Sequence, residues 1–408
     1  MSKTTLVLDI GTTKTTCMAA TMEDGTLRVE SAAAVGSRGV QAGRVADVEQ
    51  LGECIKIAVS RTREKTDAQI GQVVVGVPGP SVRSARGTGV QPMFPSGKAV
   101  HEEDLLQVNE HSRHISFAEG YELVQALPCE YRLDGNTPVA DPLGMPASRL
   151  EVTSHVMSAS TSELDRIRAA VSAAGLEIAG FVPTALASGL GAVRPEEAET
   201  GCLLVDIGGG TTEAAVFERG ACFSLASINV SSQHVTNDIA QLIKLSKEDA
   251  ENVKLTQGHA DPTQVSDEEV LQVRQIGSPD ARSFPRKVLS EIIECRVREI
   301  AKLLRSELED GGKCDRMPAT VLLTGGGSQL PGIDVVFKAA FGATAVRTAS
   351  PRLAGTNSRK VAAPEMSAVV GLALFALEDG ADELVPVSGQ LDWKERIRSL
   401  KSIFSLRS

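Results

Sequence analysis

Residues 203–213 read Leu-Leu-Val-Asp-Ile-Gly-Gly-Gly-Thr-Thr-Glu. The apolar run predicts a buried strand that ends at Asp206, after which three glycines turn the chain. Backbone N–H groups in such a turn form a concave anion site. Asp206 itself suits Mg²⁺, held directly or through water beside phosphate oxygens. Taken alone, the stretch is equally compatible with an ordinary β-turn that carries a capping acid.

A second copy of this pattern lies near the N-terminus, where residues 6–16 read Leu-Val-Leu-Asp-Ile-Gly-Thr-Thr-Lys-Thr-Thr. Asp9 corresponds to Asp206, so the repeat predicts two strand–acid–turn units that grip one phosphate chain from two sides. For Lys14, an exposed lysine is the alternative to a phosphate ligand. The predicted phosphate-binding residues are Asp9, Gly11, Thr12, Thr13, Lys14, Asp206, Gly208, Gly209, Gly210, Thr211 and Thr212.

A third glycine turn, Gly325-Gly326-Gly327-Ser328, follows another strand-like apolar run. The three turns, in this order, resemble the actin/Hsp70/sugar-kinase superfamily. The resemblance implies that the two hairpins bind the phosphates and that residues 325–328 bind the adenosine. ATP and Mg²⁺ are therefore the expected cofactors, with Asp9 and Asp206 as candidate metal residues. The P-loop signature does not occur in the sequence.

Composition narrows the class of protein. With 408 residues the chain is long enough for two to four lobes, and its net charge of -10 argues against a nucleic-acid partner. Seven cysteines without a C-x-x-C pair favour buried free thiols in a reducing compartment. No signal peptide is expected, and no run of about 18 apolar residues predicts a spanning helix.

Periodicity predicts a first sheet-and-helix half, with a helix at 48–65 and a strand at 72–77. A lobe with short strands and one helix follows at 84–157. A single helix is expected to run from about 235 past Leu245 to Lys254, and an exposed loop is expected at 256–282. The helix predicted at 283–308 carries one apolar stripe of Val288, Ile292, Cys295, Ile300 and Leu303.

Several stretches resemble the FtsA family of actin-like bacterial division proteins, over essentially the whole chain. They are residues 138–145, 150–152, 235–240, 250–254 and 288–294. The resemblance implies an α/β, actin-like ATPase fold with two RNase H-like halves around a nucleotide cleft, a small inserted α+β subdomain and a C-terminal amphipathic helix. It implies ATP binding, filaments formed by self-association, attachment of FtsZ through its C-terminal tail, and other divisome partners.

The resemblance also implies boundaries for the domains of the chain. The first half is 1–83 with 159–199, the insertion is 84–158, the core of the second half is 200–242 with 317–378, and its outer subdomain is 243–316. A linker at 379–390 leads to a membrane helix at 391–408.

Individual residues follow from the same resemblance. Glu251 and Lys254 are expected at the ribose, although their spacing also fits an ordinary surface salt bridge. Arg286, Lys287 and Arg296 are candidate contacts for the FtsZ tail, with a solvated basic face as the alternative. Thr184 stands where the family often carries an acid, so any ATPase is expected to be slow.

The end of the chain predicts a membrane anchor. Trp393, Ile397, Leu400 and Phe404 form one helical stripe, which Ile403 widens, and basic residues occupy the remaining faces. Such a helix suits the surface of anionic lipid and is too short to span a bilayer. We therefore expect peripheral attachment to the cytoplasmic face of the inner membrane at the division site; docking on the protein itself or on a partner is the alternative.

Two other functions remain open from the sequence. A sugar kinase would need a sugar-binding carboxylate in the cleft, which the sequence does not display convincingly. A cytoplasmic scaffold for pilus assembly is nearer in kind but leaves the basic terminal helix unexplained.

Overall fold

The structure is a computed structural model, and it describes residues 4–23, 25–66, 71–136, 138–278, 280–310, 313–314, 317–353 and 361–378. The strands, in chain order, are β1 (Thr5–Ile10), β2 (Lys14–Glu23), β3 (Thr26–Gly36), β4 (Val40–Gln41), β5 (Arg44–Val45), β6 (Gln72–Val77), β7 (Val82–Pro92), β8 (Lys98–Ala99), β9 (Tyr121–Leu133), β10 (Pro146–Ala147), β11 (Arg149–Ser160), β12 (Glu177–Pro183), β13 (Cys202–Ile207), β14 (Thr212–Glu218), β15 (Ala221–Ile228), β16 (Val270–Val273), β17 (Arg282–Pro285), β18 (Thr320–Thr324) and β19 (Ala345–Thr348). The helices are α1 (Val48–Arg63), α2 (Glu102–Arg113), α3 (Thr161–Ala173), α4 (Thr184–Ala192), α5 (Pro195–Thr200), α6 (Ser232–Ile243), α7 (Lys247–Gln257), α8 (Arg286–Asp310), α9 (Ile333–Phe341) and α10 (Ser367–Glu378).

Two five-stranded sheets of the same topology confirm the α/β class and the duplication. Their strand orders are β12-β6-β1-β2-β3 and β15-β14-β13-β18-β19. In each sheet the central strand pairs antiparallel with the next strand in the chain and parallel with a later one. Each central strand is buried on both faces, since Val7 and Leu204 point into a shared central core while Leu6 and Leu203 point into the core of their own half.

Helices α4 and α10 join the two halves. Helix α4 packs against β13 and β14, and α10 packs against β1 and β2, so each half ends in a helix that lies on the other half's sheet. The two helices touch through their backbones: a Cβ placed on Gly371 would lie 1.7 Å from the carbonyl oxygen of Ala187. Glycine is therefore required at this crossing.

We expect Gly371→Ala to lower the free energy of unfolding by about 1–3 kcal/mol or more, because the methyl group must push the two helices apart. Gly36→Ala is the matched control, since a Cβ at Gly36 meets nothing within 4 Å. Chemical denaturation of both variants measures the difference. Equal stability of the two variants would contradict the packing described for α4 and α10.

The inserted unit is a three-stranded antiparallel sheet, ordered β7-β11-β9, with α2 packed on it and a small core of its own. The sequence predicts short strands in this lobe, but residues 121–133 form one long strand, β9, which is bulged against β11. A bulge accommodates a pairing irregularity without ending the strand.

The outer part of the second half differs from the sequence prediction in three places. Helices α6 and α7 are separate, because Lys244 adopts a left-handed conformation (φ 60) and ends α6. The predicted loop at 256–282 contains the β16–β17 hairpin, whose Leu271 and Val273 are buried. Helix α8 begins at Arg286.

The apolar stripe predicted for α8 is only partly correct: Ile300 is buried and Ile292 packs against the core, but the other members are exposed. The buried residues include Leu289, Ile293, Val297 and Leu304, whereas Val288, Cys295 and Leu303 are exposed. A shift of one residue turns the face by about 100°. This helix carries two adjacent apolar stripes, and the neighbouring α6 and α9 decide which one is buried.

Two shorter segments also form regular secondary structure. Residues 195–200 form α5, which buries Ala198, and residues 345–348 form β19 at the edge of the second sheet. Cys17, Cys54, Cys202, Cys222 and Cys314 are buried, as expected, whereas Cys129 is partly buried and Cys295 is exposed. Within the described ranges, no helix is both long and apolar enough to cross a membrane.

Candidate functional site

A cavity of about 550 Å³ lies between the two halves, where both hairpin turns and the third glycine turn meet. Its size falls within the usual range for small-molecule sites. Fifteen of the residues predicted to bind the cofactor line it: Asp9, Gly11, Thr12, Thr13, Lys14, Asp206, Gly208, Gly209, Gly210, Thr211, Glu251, Lys254, Gly325, Gly326 and Gly327.

The two hairpin turns have the same geometry and face each other. Gly11 N–H donates to the carbonyl oxygen of Lys14 at 3.0 Å, and Gly208 N–H donates to that of Thr211 at 3.0 Å. A Cβ on Gly209 would lie 2.3 Å from Cγ2 of Thr13. The Thr13 side chain of the first turn therefore contacts the backbone of the second turn at Gly209, where no larger residue would fit.

Thr212 and Ser328 do not line the cavity. The Thr212 hydroxyl donates to the carbonyl oxygen of Val230 at 2.8 Å, and the Ser328 hydroxyl donates to that of Gly325 at 2.8 Å. Both side chains are buried. In this structure they hold the turns in place and do not reach the space where a ligand would lie.

The start of helix α6 holds the second hairpin turn. The Ser231 and Ser232 hydroxyls both donate to the carbonyl oxygen of Gly208, at 2.6 and 2.7 Å, and Gln233 N–H donates to that of Gly209 at 2.9 Å. These bonds satisfy the carbonyl oxygens of Gly208 and Gly209 within the protein and fix the turn to the start of α6.

Three acids that interact electrostatically line the cavity: Asp9 and Glu213, which are buried, and Asp206, which is partly buried. Burial, together with the nearby Asp206 carboxylate, raises the pKa of Asp9 to about 6. Burial also raises the pKa of Asp206, although the Ser188 hydroxyl, which donates to Asp206 Oδ2 at 2.5 Å, opposes the shift. Without a cation, the charged forms of these carboxylates are disfavoured.

Glu213 is not among the site residues predicted from the sequence, although it follows the second hairpin turn. Its Oε1 accepts the N–H of Gly79 at 2.9 Å, and its Oε2 has no hydrogen-bond partner among the described residues. Burial raises the pKa of Glu213 to about 7. Its pairing with Asp206 across the hairpin places it on the same side of the sheet edge, which is a signal the sequence did contain.

These acids fit Mg²⁺ as a partner of bound phosphate. Over the described residues, no group of three or more histidine, cysteine or acidic side chains could hold a metal by itself. Mg²⁺ usually takes one or two carboxylates and completes its shell with phosphate oxygens and water. The unpartnered Glu213 oxygen and the raised pKa values of Asp9 and Asp206 are consistent with that arrangement.

Glu251 and Lys254 line the other end of the cavity on helix α7. Lys254 Nζ donates to Glu251 Oε2 at 2.7 Å and to the Thr236 hydroxyl at 2.9 Å. Lys254 is buried, whereas the Glu251 side chain is 42% exposed, so the pair lines the cavity with one buried and one partly exposed member. Leu255, Gln329 and Glu365, which were not predicted, complete this end.

Thr184 also lines the cavity, at the first residue of α4. Its hydroxyl donates to the carbonyl oxygen of Val77 at 2.7 Å. The hydroxyl proton is thereby engaged, and only the oxygen lone pairs remain to orient a water molecule.

The three basic residues predicted to contact the FtsZ tail lie away from this cavity, and each forms an internal ion pair. Arg286 pairs with Glu269 at 2.5 Å and Lys287 pairs with Asp267 at 2.6 Å. Arg296 holds Asp238 of α6 through two bonds of 2.5 and 2.8 Å.

The predicted membrane residues Trp393, Ile397, Leu400, Ile403 and Phe404, and the linker before them, lie outside the described residues.

Comparison with known proteins gives two family models. The model described as "Cell division protein FtsA" matches residues 203–371, and the model described as "SHS2 domain inserted in FTSA" matches residues 79–158.

The chain is similar over most of its length to curated proteins that are named cell division protein FtsA. The cell division protein FtsA of Bacillus subtilis is 31% identical over 369 residues, which cover 90% of this chain and 82% of the relative. That of Pseudomonas aeruginosa is 30% identical over 384 residues, covering 94% and 91%. That of Borreliella burgdorferi is 28% identical over 403 residues, covering 98% and 97%.

Similar solved structures share the fold at low sequence identity. The PilM–PilN type IV pilus biogenesis complex matches with a TM-score of 0.63 and 20% identity, over 92% of this chain and 98% of that one. MreB5 of Spiroplasma citri bound to ADP matches with a TM-score of 0.55 and 17% identity, over 92% and 96%.

Proposed function

Because this chain belongs to the FtsA family of cell division proteins, we propose that it binds Mg²⁺–ATP between its two halves and polymerises on the cytoplasmic face of the inner membrane at the division site. There it tethers FtsZ through the FtsZ C-terminal tail and recruits later divisome proteins. The observation that carries the nucleotide proposal is the convergence of three glycine turns and two strand-end aspartates on one cavity.

In this proposal, residues at one end of the cavity bind the phosphates and Mg²⁺, and residues at the other end bind the nucleoside. The turns at Gly11 and Gly208 present backbone N–H groups toward a phosphate chain, and Lys14 adds a positive charge. Asp9 and Asp206 hold Mg²⁺, which neutralises phosphate charge when bound. The Glu251–Lys254 pair and the turn at 325–327 hold the nucleoside. MreB5 of Spiroplasma citri has been solved with ADP and with AMPPNP, which supports this use of the shared fold.

The test of the whole proposal is reconstitution on vesicles that contain phosphatidylglycerol. The full chain should sediment with these vesicles, bring FtsZ with it, and form filaments on a lipid monolayer with ATP that electron microscopy can show. Monomers at all protein concentrations and nucleotide states would overturn the filament part, and FtsZ left in the supernatant would overturn the tether. Phosphorylation of a sugar by the same sample would favour the kinase instead.

The pilus scaffold is the second candidate, and its support is the likeness to the PilM–PilN complex. That likeness, at 20% identity, concerns the fold alone. The curated relatives that reach 30–31% identity over most of this chain are cell division proteins, so we favour the division function.

We expect slow ATP turnover, well below the value of about 1 s⁻¹ at the low end of ordinary enzymes. The reason is that Thr184 lacks a basic oxygen and its proton is engaged by Val77. Single-turnover phosphate release, measured with and without lipid, checks the rate. Fast release that is independent of lipid and unchanged in Thr184→Ala would show that this position was misread.

For the FtsZ tail we expect opposite effects from the two members of one ion pair. Lys287→Ala should weaken binding of a tail peptide, and Asp267→Asn should strengthen it, because Asp267 competes with an acidic peptide for Lys287. Both residues are partly or largely exposed, so each effect should be a few-fold at most. Fluorescence anisotropy of a labelled peptide measures both. Unchanged affinity in both variants would place the tail elsewhere.

A further inference from the structure

Glu213 lies between two cavities. It lines the cavity proposed for the nucleotide, and it also lines a second cavity of about 330 Å³ formed by the start of the inserted unit, strand β15 and the end of α8. Its side chain is 6% exposed. Since Oε2 has no partner among the described residues, one oxygen of a deeply buried carboxylate is left for a group that enters from outside the protein.

The other oxygen of Glu213 bonds the segment at which the chain enters the inserted unit. Oε1 accepts the N–H of Gly79, which opens the turn that leads into β7, the first strand of the inserted unit. Gly79 packs closely against the second half, since a Cβ on Gly79 would lie 2.6 Å from Cβ of Ser227 and 3.0 Å from Cδ of Glu213. Movement of the Glu213 carboxylate therefore reaches Gly79 directly.

A short hydrogen-bond chain attaches the same strand to β15. Leu225 N–H donates to the Ser84 hydroxyl oxygen at 3.2 Å, and the Ser84 hydroxyl bonds His155 Nε2 at 2.5 Å. His155 Nδ1 bonds the carbonyl oxygen of Cys222 at 2.9 Å. His155 is fully buried, and burial lowers its pKa to about 4, so the ring is neutral, donates from Nδ1 and accepts at Nε2.

The inserted unit is thus attached to the second half, although the chain enters and leaves it from strands of the first sheet, β6 and β12. Glu213 on β14 and the Ser84–His155 chain on β15 are two of the attachments. Strand β9 adds two more, because Arg219 pairs with Glu130 at 2.9 Å and the Cys129 thiol donates to the carbonyl oxygen of Cys222 at 3.4 Å. Of these, only Glu213 also lines the nucleotide cavity.

We propose that Glu213 is a positioning residue that couples occupancy of the nucleotide cavity to the inserted unit. A group in the cavity that engages Oε2 turns the rigid carboxylate, and Oε1 then shifts against the Gly79 N–H and the start of β7. By reciprocity, a partner that moves the inserted unit changes the affinity of the cavity for its ligand. This inference rests on the proposed binding of ATP between the halves.

The test is hydrogen–deuterium exchange of the full chain, with and without saturating Mg²⁺–ATP, read in peptides that cover residues 79–92. In the natural protein, ATP should change exchange in these peptides. Glu213→Gln keeps an oxygen for Gly79 but removes the negative charge, so it should abolish the response at Mg²⁺–ATP concentrations that saturate the variant. Glu307→Gln, the same change in the wall of the second cavity only, is the matched control and should respond like the natural protein.

Calorimetry of the same samples separates the two proposals. If the natural chain does not bind ATP, the proposed function fails, and the coupling fails with it. If ATP binds but exchange at 79–92 is unchanged, or if Glu213→Gln responds as fully as the natural protein, the coupling alone is overturned.

A second variant covers the case in which Glu213→Gln no longer binds ATP. Ser84→Ala removes the hydroxyl that joins Leu225 to His155 and leaves the nucleotide cavity intact. It should raise exchange at 79–92 in the absence of ligand and keep the response to ATP, since Glu213 carries that response. Loss of the response in Ser84→Ala would mean that the β15 attachment carries the signal, and would overturn the role of Glu213.

Discussion

Asp9→Asn should abolish tight binding of Mg²⁺–ATP and, in the ligand-free protein, make the fold more stable. The variant removes one of two carboxylates that we assign to the metal. Affinity should therefore fall by at least about 100-fold, the upper end of what loss of an outer-shell partner costs. Isothermal calorimetry with and without Mg²⁺ measures this, and an unchanged affinity would remove Asp9 from the site.

The gain in stability has a separate physical cause. Asp9 is buried beside Asp206, and its pKa is raised from 3.8 to about 6, which corresponds to an upper bound of about 3 kcal/mol when it is ionised. The amide carries no charge, so the thermal midpoint of the ligand-free variant should rise at pH 7.5. A lower midpoint would mean that Asp9 makes stabilising contacts that outweigh its burial.

The same shift gives a dependence on pH whose sign is definite. In the folded protein Asp9 is protonated as the pH falls through its pKa of about 6. In the unfolded chain the pKa of Asp9 is 3.8, so protonation occurs only at lower pH. The contribution of Asp9 to stability therefore improves as pH falls across that window, and its penalty is complete above it. The difference in unfolding free energy between Asp9→Asn and the natural protein should shrink from pH 7.5 to pH 4. A constant difference would contradict the raised pKa.

Deletion of residues 391–408 should release the protein from anionic vesicles and leave ATP binding unchanged. The segment combines an apolar stripe that includes Trp393 and Phe404 with five basic residues, Lys394, Arg396, Arg398, Lys401 and Arg407. Each cation near the membrane surface adds about 1 kcal/mol, so the loss of cosedimentation should be nearly complete. If the truncated chain still sediments as well as the full chain, the anchor lies elsewhere.

A matched pair of substitutions separates insertion from charge. Trp393→Glu and Ser402→Glu each add one negative charge, but the two positions fall on opposite sides of the predicted helix. Trp393→Glu should strongly weaken vesicle binding because it places a carboxylate in the apolar stripe. Ser402→Glu should weaken it only slightly. Equal effects would mean that net charge alone holds the protein at the lipid, without a buried apolar face.

The sequence alone determined the features that depend on neighbouring residues. A strand that runs into glycines forms its turn locally, so the turns at Asp9, Asp206 and Gly325 are predictable from their own residues. Their assignment to a nucleotide came from the three turns taken together and from the family resemblance. The duplication followed from the same repeat, because each unit carries its own strand, acid and turn. The α/β class followed from the resemblance to the actin-like superfamily and the FtsA family.

Only the tertiary structure decided which side chains are buried and which partners they have, because these features depend on residues from distant parts of the chain. Helix α8 has two adjacent apolar stripes, and the neighbouring helices select the one with Leu289 and Ile293. Lys287 is a basic residue by sequence, but the fold places Asp267 beside it, twenty positions earlier in the chain. Glu213 meets Gly79 across 134 positions, and that contact makes it a candidate link between the cavity and the inserted unit. Local sequence sets backbone geometry and charge, whereas burial and hydrogen-bond partners arise only when distant segments pack together.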